Sequence, residues 1–204
     1  LTLGAGLAIA SGAALAESTY GYSATGTGGV SATANVKVTV TVPKLIILRV
    51  GTSGATVDTL AFTAGLDATG IPGGVTTLTA GNSQASGWTG VAPVWGTPTS
   101  TPSPASVAAY VWTNATGATL AMSTAVTTPL TGITPANIGV SATGTNFLSG
   151  HPANTSLTTF AGTIPSNTAI TSTWTYSILN AATVLAATAA GTYAQTTTYT
   201  ATAL

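Results

Sequence analysis

The sequence has almost no charge. Asp, Glu, Lys and Arg make up 3% of its 204 residues, against roughly 25% in ordinary soluble domains. Glu17, Lys37, Lys44, Arg49, Asp58 and Asp67 are all of them, and residues 70–204 contain none. The polar surface must therefore be built from Ser, Thr, Asn and Gln, which neither titrate nor respond strongly to salt. Three scattered basic residues cannot form a phosphate-binding patch, which argues against nucleic acid as a partner. Zero net charge favours association over solubility as a free monomer. Cysteine is absent, which removes disulfides, thiolate metal sites and a Cys nucleophile. No apolar run reaches the ~20 residues of a membrane-spanning helix. One His, two Asp and one Glu offer no convergent acid–base set. No GxSxG elbow is present either. No enzymatic activity, no cofactor and no metal site is expected. Asp58 and Asp67 are too few for a Ca²⁺ cage, and His151, in a Gly-His-Pro loop, reads as a solvated residue.

What the sequence does have is a period of two. In VSATANVKVTVTV (30–42) the residues Val30, Ala32, Ala34, Val36, Val38, Val40 and Val42 alternate with polar ones, as in a half-buried antiparallel strand. Pro43 interrupts it. LIIL (45–48) is apolar on both faces and reads as a strand covered on both sides. Further strands are expected at VDTLAF (57–62), VAPVW (91–95), SVAAYVWTN (106–114), ATLAMSTAV (118–126), TSTWTYSI (171–178) and the closing GTYAQTTTYTATAL (191–204). The pair at 106–114 and 118–126 reads as a hairpin. NAATVLAATAAG (180–191) reads as a short helix capped by Gly191 or as a loop with strand fragments. Turn-rich loops lie at 70–74, 97–104 and 149–156. Many short strands with Thr-rich faces predict an all-β chain, an Ig-like antiparallel β-sandwich. The Gly-rich YGYSATGTGG (20–29) is the hinge candidate, giving an N-terminal segment, 1–29, and a sandwich domain, 30–204.

Side chains that stand out have structural readings. Trp88, Trp95, Trp112 and Trp174 are read as core or interface fillers ahead of a carbohydrate platform. Val38, Val40, Val42, Trp174, Tyr176, Tyr193 and Tyr199 are the expected lining of the core or of a groove. Lys37 or Lys44 with an Asn offers isopeptide chemistry, against the plainer reading of solvated lysines. Asn114-Ala-Thr and Asn154-Thr-Ser are the two sequons, so Asn114 and Asn154 are candidate N-glycosylation sites.

Three stretches taken in order, VTVTVPKLIILRVG, ATVDTLAF and GTYAQTTTYTATAL, resemble exported bacterial surface proteins of fimbrial-like β-sandwich type. Weaker likeness runs through SGWTGVAP and VWTNATGATLAMSTAVTTPL. The layout is similar to subunits of donor-strand-complemented pili and fibres, in which one subunit lends a strand to its neighbour's sheet. Gly191 stands where such pilins open their last strand. Ala203 replaces their penultimate aromatic, and the usual Cys pair is missing, so the resemblance implies TasA-like or thread-like fibres more than the chaperone–usher kind.

The opening LTLGAGLAIASGAALA has two readings. It ends in Ala14-Leu15-Ala16, a small-x-small export cleavage site, but no basic stretch precedes it. Its large apolar residues Leu1, Leu3, Leu7 and Ile9 all fall on odd positions, with small residues between them. A leader helix has no need of that spacing, and its glycines weaken a helix. A strand inserted into a groove needs both. Leu1, Leu3, Leu7 and Ile9 are therefore the expected donor plugs. The expected function is a structural subunit of an extracellular, cell-surface filament whose partners are identical subunits, with surface glycans or other cells as further contacts. The alternative is a monomeric secreted adhesin or carbohydrate-binding sandwich whose residues 1–16 are a cleaved signal peptide.

Overall fold

The computed structural model describes residues 18–54, 56–66, 78–144, 146–154 and 157–203. The chain divides into two compact units, Leu1–Pro43 and Lys44–Leu204. The sequence placed this boundary earlier, between residues 29 and 30.

In the first unit, residues 20–29 contain a hydrogen-bonded turn where an open hinge was expected. The Gly26 N–H donates to the Ser23 carbonyl, and the Ser23 hydroxyl donates to the Thr27 carbonyl at 2.9 Å. Gly26 takes φ +67° there, a conformation that side chains resist. The two arms return towards each other, with the Thr19 hydroxyl 2.8 Å from the Thr33 carbonyl. Beyond them, residues 36–42 belong to no strand, helix, turn or bend. Val36, Val38, Val40 and Val42 are 82, 80, 80 and 72% exposed. The half-buried strand expected at 30–42 is thus not formed within this chain. Alternation marks a face suited to burial, but burial needs a sheet to pack on.

The second unit is predominantly antiparallel β. Its elements are β1 (Ile46–Val50), β2 (Ala61–Thr63), β3 (Thr99–Thr101), β4 (Ser106–Thr113), β5 (Thr119–Thr128), β6 (Ile138–Thr143), β7 (Thr158–Thr159), β8 (Ile170–Ile178), the helix α1 (Ala181–Ala187) and β9 (Ala194–Thr202). One sheet has the order β1-β4-β8-β6, a second β7-β5-β9, and β2 and β3 pair separately. Inward residues of the two larger sheets share one apolar cluster: Val107, Ala109 and Val111 of β4, Leu120 and Met122 of β5, Ile170 and Trp174 of β8.

Five expectations change. Of VDTLAF only Ala61 and Phe62 enter a strand, β2, and of VAPVW only Trp95 pairs, in an isolated bridge with Leu66. β4 and β5 are not a hairpin: β4 pairs with β1 and β8, β5 with β7 and β9. Their connection crosses from one sheet to the other, burying Ala115 and Ala118 as it goes, with Gly117 at φ +71°. LIIL is not covered on both sides. Among the described residues β1 is an edge strand paired with β4 alone, and Leu45 and Ile47 remain 52 and 54% exposed. The stretch 180–191 holds a helix of 7 residues. Gly191 lies beyond its Thr188 cap.

Candidate functional site

Trp174, Tyr176 and Tyr199 converge because β8 and β9 present alternate residues to the shared core. Trp174 is fully buried, and its indole N–H donates to the Leu148 carbonyl at 2.9 Å. Its ring lies 5.7 Å from Phe160 and 4.9 Å from Tyr199. Tyr193, expected beside them, precedes β9 and bonds locally through its hydroxyl to Gln195 at 2.9 Å.

His151 is the residue that sequence reasoning misplaced. Instead of facing solvent it is half-buried, edge-on to Trp174 at 4.7 Å and near Phe160, Tyr176 and Tyr199. Its Nδ1 lies 2.7 Å from the Pro152 carbonyl and its Nε2 2.7 Å from the Tyr199 hydroxyl. A carbonyl only accepts, so Nδ1 carries the proton and Nε2 accepts from Tyr199. Tyr199 in turn accepts from the Tyr176 hydroxyl, 2.7 Å away. Burial holds the His151 pKa below its ordinary value. It raises the phenols of Tyr176 and Tyr199, the latter also through its neighbour Tyr176. The result is a neutral relay without a nucleophile or a charged partner. It ties the Gly-His-Pro loop around His151 to the two sheets.

Leu148 and Phe160 cap the core at 0 and 2% exposure, and beside them Val140 and Ala142 of the edge strand β6 are half-buried. Next to β1 and β9, edge strands of different sheets that approach each other, the inward residues Ile46, Leu48, Val50, Tyr199, Ala201 and Ala203 are only half-buried. Among the described residues β9, with 9 residues, no charge and no proline, is paired on one edge alone, with β5.

The remaining sequence candidates fall elsewhere. Leu1, Leu3, Leu7 and Ile9 lie outside the described residues, as does Asp67. Val38, Val40 and Val42 do not line the core of this chain; they are exposed. Asn154 is 3% exposed, and its amide nitrogen donates to the Ile138 carbonyl, so the folded chain leaves no room for a glycan there. The Asn114 side-chain oxygen accepts from the Leu45 N–H at 2.8 Å, a clamp on the start of β1. The Asp58 carboxylate accepts from the Thr52 hydroxyl and N–H, closing the turn after β1. Those bonds lower its pKa. Lys37 and Lys44 are exposed, away from the buried setting isopeptide chemistry needs. Trp88 is exposed, Trp95 and Trp112 half-buried. Among the described residues no group of three His, Asp or Glu is placed to hold a metal, and no helix is long and apolar enough to cross a membrane.

The chain matches no protein-family model, no curated protein and no solved structure.

Proposed function

We propose that this chain is a structural subunit of an extracellular filament. In this reading the Lys44–Leu204 unit is an Ig-like, pilin-like β-sandwich. Subunits polymerise head to tail by donor-strand complementation through the N-terminal segment. The observation that carries it is the row Val36, Val38, Val40 and Val42, apolar, spaced for a strand and 72–82% exposed in the single chain. Leaving four such side chains in water forgoes on the order of 1.5–3 kcal/mol each, and assembly recovers it. The uncharged surface agrees, since nothing on residues 70–204 repels an identical neighbour. A heterologous contact of this kind does not close, so it produces a fibre. The chain acts as a polymer building block at the cell surface, not as an enzyme.

A monomeric secreted binder using surface tryptophans is the second reading, favoured by the 58% exposure of Trp88. Sedimentation velocity and negative-stain microscopy on the purified chain separate the two. Filaments that grow with concentration are expected; a monomer at every concentration refutes the filament.

A further inference from the structure

We propose that residues 36–42 are the strand one copy donates to the next, and that they dock along the free edge of β9, over the half-covered side of the core beside β1. This rests on the filament reading and moves the donor away from Leu1, Leu3, Leu7 and Ile9. The occupant is a second copy of this chain.

Four observations meet here. First, residues 36–42 are assigned to no strand or bridge, and their apolar row is exposed. Second, only one face of the segment suits burial. Val36, Val38, Val40 and Val42 form it, while Lys37, Thr39 and Thr41 form the other and stay in water. Third, the receiving side is present in the same molecule. The inward residues of β4, β5 and β8 at the cluster centre are at most 8% exposed, whereas those of the edge strands β1, β6 and β9 are half-buried. β9, with 9 residues, is the longest of the three, and a strand added to it covers its own inward residues and those of β1. Fourth, the sizes agree. Seven residues in β geometry span about 23 Å, within the length of the 9-residue β9. Valines two residues apart keep step with Thr197, Tyr199 and Ala201, which β9 turns inward at the same period.

β9 also lacks the devices by which a monomer guards an open edge. It has no charge and no proline, and among the described residues no strand pairs with its free side. Its β-branched residues favour pairing instead. Backbone ladder bonds would supply affinity, and the valines against the inward residues would supply register.

The absence of native cysteine makes the test clean. In the full chain, Val38→Asp with Val40→Asp is compared with Leu3→Asp and Ile9→Asp. Filament mass is read by sedimentation and folding by tryptophan fluorescence, to which the fully buried Trp174 contributes. The valine double variant is expected to stay folded and lose at least about tenfold in filament mass, while the Leu3 and Ile9 variants assemble. Separately, Thr39→Cys chains are mixed under oxidising conditions with Thr196→Cys, Thr198→Cys or Thr200→Cys chains, whose residues face outward on β9. A disulfide dimer in at least one mixture is expected, and none with Thr2→Cys in place of Thr39→Cys. Filaments that form normally from the valine variant, or that form without any of these cross-links, overturn the donor assignment and leave the filament reading standing. A parent chain that never assembles overturns both.

Discussion

His151 is the only side chain here that titrates between about pH 5 and 8. Its folded pKa lies below the unfolded 6.5 because burial disfavours the charged ring. The folded state therefore binds this proton more weakly than the unfolded chain. Stability is full above pH 6.5 and falls as the pH drops from there through the lowered folded value. Protonation also gives Nε2 an N–H that opposes the Tyr199 donor. Arg49 cannot intervene, since its guanidinium is engaged 4.0 Å over the Tyr110 ring on the exposed side of β1 and β4. Thermal melts from pH 7.5 to 5 are expected to show a falling midpoint for the parent and a flat one for His151→Gln. An equally sloped variant would place the titrating group elsewhere. A Gly-His-Pro context cannot reveal this burial, because the pocket around His151 comes from Phe160 and from Trp174 and Tyr199, the latter two remote in sequence.

At the scale of elements, β1 is held at its start by β4. The Leu45 carbonyl accepts from the Thr113 hydroxyl at 2.9 Å, and the Leu45 N–H donates to Asn114. Thr113 is fully buried and also accepts from the Ala115 N–H at 3.0 Å. Thr113→Val keeps the shape and removes both bonds, an expected cost of about 1–3 kcal/mol. Urea unfolding followed by tryptophan fluorescence checks it; an unchanged midpoint would mean β1 does not depend on this clamp. Much of the β pattern was legible, since β4, β5, β8 and β9 fall on stretches whose alternation marks them. Pairing was not. Ala115-Thr116-Gly117 looks like a hairpin turn, yet whether a chain reverses in one sheet or crosses to another depends on which distant strands compete for its edges. β6 was missed because GVSAT in Ile138–Thr143 is short in large apolar residues and takes its place from β8. Val30 to Val42 shows the opposite failure: a strong strand pattern without a strand, since alternation states a need for a partner and not that the same chain provides it.

For the whole molecule, the proposed assembly joins a second unit that carries no Asp, Glu, Lys or Arg from residue 70 on, a half-covered edge of its core and an exposed row of valines into one self-complementary subunit. The alternation of residues 36–42 was legible in the sequence, but it read as a strand of the sandwich while the donor was expected at Leu1, Leu3, Leu7 and Ile9; the half-burial of Leu48, Tyr199 and Ala201 exists only after folding. Hydrogen exchange on residues 36–42 measures the claim most directly, by comparing assembled chain with dissociated chain in the same buffer. The account predicts that the amides of Val36 to Val42 exchange freely when dissociated and slow by at least about a hundredfold on assembly, together with those on the free edge of β9. Filaments in which these amides still exchange at the unprotected rate would contradict it.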